Sequence, residues 1–134
     1  NHPHVPQPAQ TIDRGPDQPK ALVTYAFGDF VSYHPESRNS KLTYAIKFDI
    51  AKVVTAQRTY VSWDRVRTLP LYIVNAPLGD DRYDCRIVQF EKVLRDPDGY
   101  GLTDREKSEL PHLQDVVWRG ILAPLSSIPD GGWS

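Results

Sequence analysis

Residues 42–51 constrain the chain more than any other stretch. Leu42, Tyr44, Ile46, Phe48 and Ile50 alternate without a break with Thr43, Ala45, Lys47, Asp49 and Ala51. A period of two places one apolar and one more polar row on opposite faces of a strand, and a helix cannot satisfy it. This segment is therefore a half-buried antiparallel strand, and its neighbours must build a sheet around it. Leu22, Val23, Tyr25 and Phe27, then Phe30, Val31 and Tyr33 around Gly28-Asp29, read as one bent strand or two short ones with a bulge at Gly28. Thr59 to Trp63 and Leu69 to Val74, the latter entered through Pro70, read as two further strands, and Arg82 to Leu94 as a long one. Pro77, Gly79, Asp80 and Asp81 supply the turn before the last of these.

Past Leu94 the period lengthens. Asp96-Pro97-Asp98-Gly99 has the composition of a tight turn, and Thr103 with Glu106 three residues later has the form of a capping box opening a short helix through about Leu110. Pro111 suits the first turn of another helix, in which Leu113, Val116, Val117, Gly120 and Ile121 recur at helical spacing until Pro124. The tail from Ser126 reads as loop, with Trp133 packing on the domain. The expected fold is mainly β with an α+β character: five to six strands in an antiparallel sheet or partly open barrel, followed by a C-terminal helical segment.

The start of the chain has a different texture. Residues 1–19 carry Pro3, Pro6, Pro8, Pro16 and Pro19 among polar neighbours, with Val5 and Ile12 as the sizeable apolar side chains. Such a stretch buries too little surface to repay its ordering and reads as a flexible, polyproline-like arm that docks on the domain or on a partner. Residues 20–134 then form one globular domain. The chain opens on Asn1 and contains no methionine in 134 residues. That start is expected of a piece processed or excised from a larger polypeptide, since initiator Met is trimmed ahead of small residues.

Charge and cysteine content narrow the function classes. Sixteen Lys and Arg stand against seventeen Asp and Glu, a net charge of -1, which provides no overall field for gathering phosphates. The charges are unevenly placed, with basic residues dominating 36–67 and acidic ones 80–109. The single Cys85 forms no internal disulfide, and its place among strand residues is that of a buried, inert thiol. No apolar run approaches the roughly 20 residues that span a bilayer, so no membrane partner is expected.

Catalytic patterns are absent. Nucleophilic catalysis needs a nucleophile, a base and a group orienting the base. Cys85 has no such surroundings in sequence, and His34, in a polar turn, and His112, at a helix start, read as ordinary surface residues. His2 and His4 beside a free amino group offer copper a partial ligand set, short of a selective site. Asp80-Asp81 reads as a solvated turn pair. No phosphate-binding glycine loop, zinc-spaced Cys/His set or dinucleotide fingerprint occurs, and no cofactor is expected.

Two signals remain. The segment from Asp96 to Lys107 resembles the acidic calcium loops of EF-hands and thrombospondin type 3 repeats. That resemblance implies Asp96, Asp98 and Asp104 as side-chain ligands, Gly101 as the turn and Leu102 as a carbonyl ligand. Tyr100 stands where a third polar ligand belongs, Lys107 where a bidentate Glu would close the cage, and Glu106 falls one residue early. The second signal is an aromatic surplus on the strands, Tyr25, Phe27, Phe30, Tyr33, Tyr44, Phe48, Tyr60, Trp63 and Tyr72, more than one sheet face hides. With Lys47, Lys52, Arg58, Arg65 and Arg67 nearby, it points to a recognition surface made of Tyr60, Trp63, Arg58, Arg65, Arg67 and Lys47. A non-enzymatic module that binds a protein partner is the leading expectation. A small β-barrel that stacks nucleic acid is the alternative, and an enzyme domain completed by another subunit is a third class.

Overall fold

The computed structural model describes residues 2–122 other than 33, 35 and 36. Tyr33, Asn1, the terminating Pro124, the tail and Trp133 lie outside the described residues. Five strands form two antiparallel sheets. A two-stranded sheet pairs β1 (Ala9–Ile12) with β2 (Ala21–Thr24), and a three-stranded sheet has the order β3 (Leu42–Val54), β4 (Thr59–Gly79), β5 (Arg82–Gln89). Two α-helices follow, α1 (Phe90–Arg95) and α2 (Asp104–His112), and a π-helical stretch Leu113–Leu122 continues the latter. No closed barrel forms among the described residues, and the strands number five rather than six.

The larger sheet is staggered about β4. Its first half pairs only with β3, its second half only with β5, and the two ladders overlap at Leu71 and Tyr72. The two strands expected at 59–63 and 69–74 are thus one. The interruption between them is absorbed by a bulge in which Arg65 and Val66 oppose Phe48, with Arg65 in the left-handed region (φ 51°). Pro70 is tolerated because it lies one residue before the β5 ladder begins, so only β3 flanks it. Asp80 and Asp81, both at positive φ, close the β4–β5 hairpin in two residues.

Two other expectations change. Residues 22–32 form neither one bent strand nor two short ones: β2 ends at Thr24, and Phe27 makes only an isolated bridge to Pro6. Gly28 (φ 90°) turns the chain where a Cβ would lie 3.0 Å from the Leu42 carbonyl and 3.2 Å from Pro6, so this crossing needs glycine. The last strand stops at Gln89, because Phe90, Val93 and Leu94 follow at helical spacing and α1 buries Phe90 and Val93. In the Pro-rich segment, Gln7 N donates to Ala26 O (2.9 Å), Tyr25 N donates to Pro8 O (3.2 Å), and residues 9–12 pair with 21–24.

The Thr103–Glu106 capping box is present in both directions. Glu106 N donates to Thr103 Oγ1 at 3.3 Å, and Thr103 N donates to Glu106 Oε2 at 2.9 Å. Pro111 lies inside α2 rather than starting a new helix. Lacking an N–H for the Lys107 carbonyl, it breaks the ladder just before the turns widen to π geometry.

The core joins Leu42, Tyr44, Tyr72 and Val74 of the sheet to Phe90, Val93, Leu102, Leu110, Leu113 and Val117, with the Tyr72 and Phe90 rings stacked at 6.1 Å. Ala9 and Leu22 of the small sheet pack against it. Lys41 is buried beside this core, its Nζ 3.0 Å from Glu106 Oε1. The amide orientation of Asn75 that satisfies its neighbours adds an acceptor 3.1 Å from the same ammonium. Burial would raise the Glu106 carboxyl, but the hydrogen bonds from Thr103 and Lys41 and the Lys41 charge hold it below its ordinary range.

Candidate functional site

The small sheet and the free half of the β3–β4 ribbon face each other across an open groove of about 480 Å³. Pro19, Leu22 and Phe27 form one wall, and Ile46, Phe48, Val61 and Trp63 the other. The second wall follows from alternation. Ile50 pairs with Trp63 and Lys52 with Val61 across the ladder, so 46, 48 and 50 share a face with 61 and 63. That row is buried at Leu42 and Tyr44, where the Tyr44 ring lies 5.0 Å from that of Phe27 and its hydroxyl donates to the Gln7 and Ala26 carbonyls, but farther along Ile50 is 67% and Val61 62% exposed. The Trp63 indole N–H donates to the Lys20 carbonyl (2.7 Å), which joins the two walls at one end. Among the described residues, Arg14 and Lys20 are the charged ones lining the groove and no acidic residue lines it.

The six residues expected to form one recognition surface are divided by the fold. Trp63 lines the groove. Tyr60 pairs with Val53 and Lys47 with Arg67, positions that alternate to the opposite face of the ribbon. Arg58 lies over the Tyr60 ring, its guanidinium 4.7 Å from the centroid. Arg65 forms an ion pair with Asp49, across the strands from Asp64. Of the aromatic surplus, Tyr44 and Tyr72 are buried, and burial pushes the Tyr44 hydroxyl up to about 12. Phe27, Phe30, Phe48 and Tyr25 are exposed. Cys85, expected to be buried, is an exposed free thiol, because β5 is an edge strand and this position alternates away from the core.

In the acidic segment, Asp96 Oδ1 accepts from Gly99 N (2.9 Å) and so closes the turn. Asp98 and Asp104 both reach the Lys107 ammonium, which occupies the space between them, and their hydrogen bonds raise the Lys107 pKa. Glu106 is turned away to Thr103 and Lys41.

A cluster that sequence reasoning missed lies at the start of the arm. His4 Nδ1 is 2.7 Å from Asp29 Oδ1, His34 Nε2 is 3.3 Å from Asp29 Oδ2, and Ser32 Oγ donates to Asp29 Oδ2 at 2.8 Å. The His4 and His34 rings meet edge to face at 4.8 Å. Burial works to raise the Asp29 carboxyl. The hydrogen bonds from Ser32 and His4 and the adjoining imidazoles outweigh it, leaving the carboxyl below its ordinary range. The residues are 25 and 30 positions from His4 in the chain, at spacings that match no motif; the lone signal was that both histidines stand in proline-rich turns.

No family model, curated protein or solved structure matches this chain.

Proposed function

We propose that the protein is a non-enzymatic recognition domain whose groove takes an extended, apolar segment of a partner protein flanked by acidic residues. The observation that carries this reading is the uncovered apolar face of the ribbon. Phe48, Ile50, Val61 and Trp63 continue the row that elsewhere forms the core, and contiguous exposed apolar surface of this kind characterises interaction sites. β3 is also an edge strand, and an added strand would find alternate side-chain positions already apolar. Trp63, anchored through its indole N–H, has the rigid aromatic character of a binding hot spot. The preference for acidic flanks comes from Arg14 and Lys20 at the groove, with no acidic counterpart among the described residues. A nucleic-acid platform is less favoured, because Arg65 is engaged by Asp49 and Tyr60 lies beneath Arg58.

The test is selection of displayed random peptides on the purified protein, followed by titration against a Val61→Glu variant. The expected result is enrichment of peptides with alternating apolar residues beside Asp or Glu, and a loss of at least about tenfold in affinity for Val61→Glu, one hot-spot contact. Equal binding by the variant overturns the reading. So does tight binding of single-stranded DNA that weakens steeply with salt and is lost in Arg58→Ala with Arg65→Ala.

A further inference from the structure

The His4, Asp29 and His34 cluster has no part in the groove reading and stands on its own geometry. We propose that these three side chains form a binding site for a divalent transition-metal ion of the zinc class, which ties the beginning of the N-terminal segment to the loop after Gly28. Their ligand atoms all lie within 4.8 Å of one another. A tetrahedral ion with bonds of 2.0–2.2 Å needs ligand atoms roughly 3.3 Å apart, so small side-chain adjustments complete the set. The two imidazole nitrogens are borderline donors that favour d-block ions over calcium and magnesium, and the carboxylate oxygen is a harder donor that zinc also accepts.

The surroundings suit an ion better than a simple hydrogen-bonded triad. Asp29 is 5% exposed, and among the described residues no lysine or arginine pairs with it. An ion held beside this buried carboxylate would supply the permanent positive charge that no described lysine or arginine brings to it. Ser32 holds the carboxylate in place from behind, as outer partners of metal ligands do. The imidazoles are half exposed, at 50% for His4 and 44% for His34, so ions can enter and a water can fill a fourth position. His4 sits in the left-handed region (φ 54°), and its ring meets a residue 25 positions away.

Zn2+ is the probe, added to full-length, tag-free protein and followed by calorimetric titration and thermal melting. One equivalent is expected to bind. At about 100-fold above its Kd it should raise Tm by about 5–10 °C. His4→Gln and His34→Gln, at exposed positions that leave the core intact, should each weaken binding by at least about tenfold. His2→Gln should leave it unchanged. Absence of binding to the wild type overturns the proposal. Binding that survives His34→Gln but is lost in His2→Gln overturns it as well, since the ion would then belong to the terminal peptide. Asp29→Asn is read only alongside the two histidine variants, because a buried change there alters folding.

Discussion

The two ends of β3 carry the same alternating pattern and meet different fates. At one end Leu42 and Tyr44 are buried in the core, with Tyr72 and Val74 beside them on β4. Six residues on, Phe48 and Ile50 share a face with Val61 and Trp63 of β4 and lie exposed at or beside an open groove. Local sequence is nearly equivalent at the two ends; what differs is the cover, which at the buried end comes from both sides of the chain, the Gln7, Ala26 and Phe27 stretch over Tyr44, and Phe90 and the helices over Tyr72. Periodicity specifies a face and says nothing about whether that face is filled. One half of the ladder therefore holds the fold together, and the other is available to bind.

The largest effect belongs to the covered end. Phe90→Ala removes a ring that is 1% exposed and stacked on Tyr72, and should cost about 3–5 kcal/mol in chemical denaturation. A cost under about 1 kcal/mol would mean that the helices do not cap the sheet as described.

A smaller loss is expected from the Lys41–Glu106 pair, which joins the start of β3 to the cap of α2. Lys41→Met should destabilise by about 2–3 kcal/mol by leaving a part-buried carboxylate without its cation, reduced because Thr103 still bonds to it. The sign of its pH dependence follows from the depressed Glu106 carboxyl. Stability from this pair is fully present above the pKa of the unfolded carboxyl and is lost as pH falls through the lower folded value. Urea midpoints measured from pH 7 down to pH 3 should fall more steeply in wild type than in Lys41→Met; parallel curves would contradict the assignment.

Much of the sheet was legible in the sequence, for reasons specific to each element. β3 was readable because its alternation is unbroken, and α2 because Thr103 and Glu106 form a capping box that works without help from the rest of the fold. The continuity of β4 was not readable, since Pro70 and the Arg65 bulge look like breaks until the staggered pairing is known. Phe90–Arg95 misled because Phe90 and Val93 fit a strand as well as a helix over so few residues. The candidate site was legible only as composition. Aromatic and basic residues were visible, and alternation along 59–63 already sends Tyr60 and Trp63 to opposite faces, but which face stays open is decided by packing, and the His4–Asp29–His34 cluster depends on a chain crossing at Gly28.

The smallest expected effect is the most telling one, and it belongs to the open end. Thermal denaturation of the Ile50→Glu with Val61→Glu double variant compares the exposed row directly with the buried one. The predicted Tm lies within about 4 °C of wild type, because both side chains are mostly in solvent and surface changes usually cost within about 0.5 kcal/mol each. Loss of the cooperative transition would show that these residues are part of the core, and the division of the ladder into a folded half and a binding half would fail.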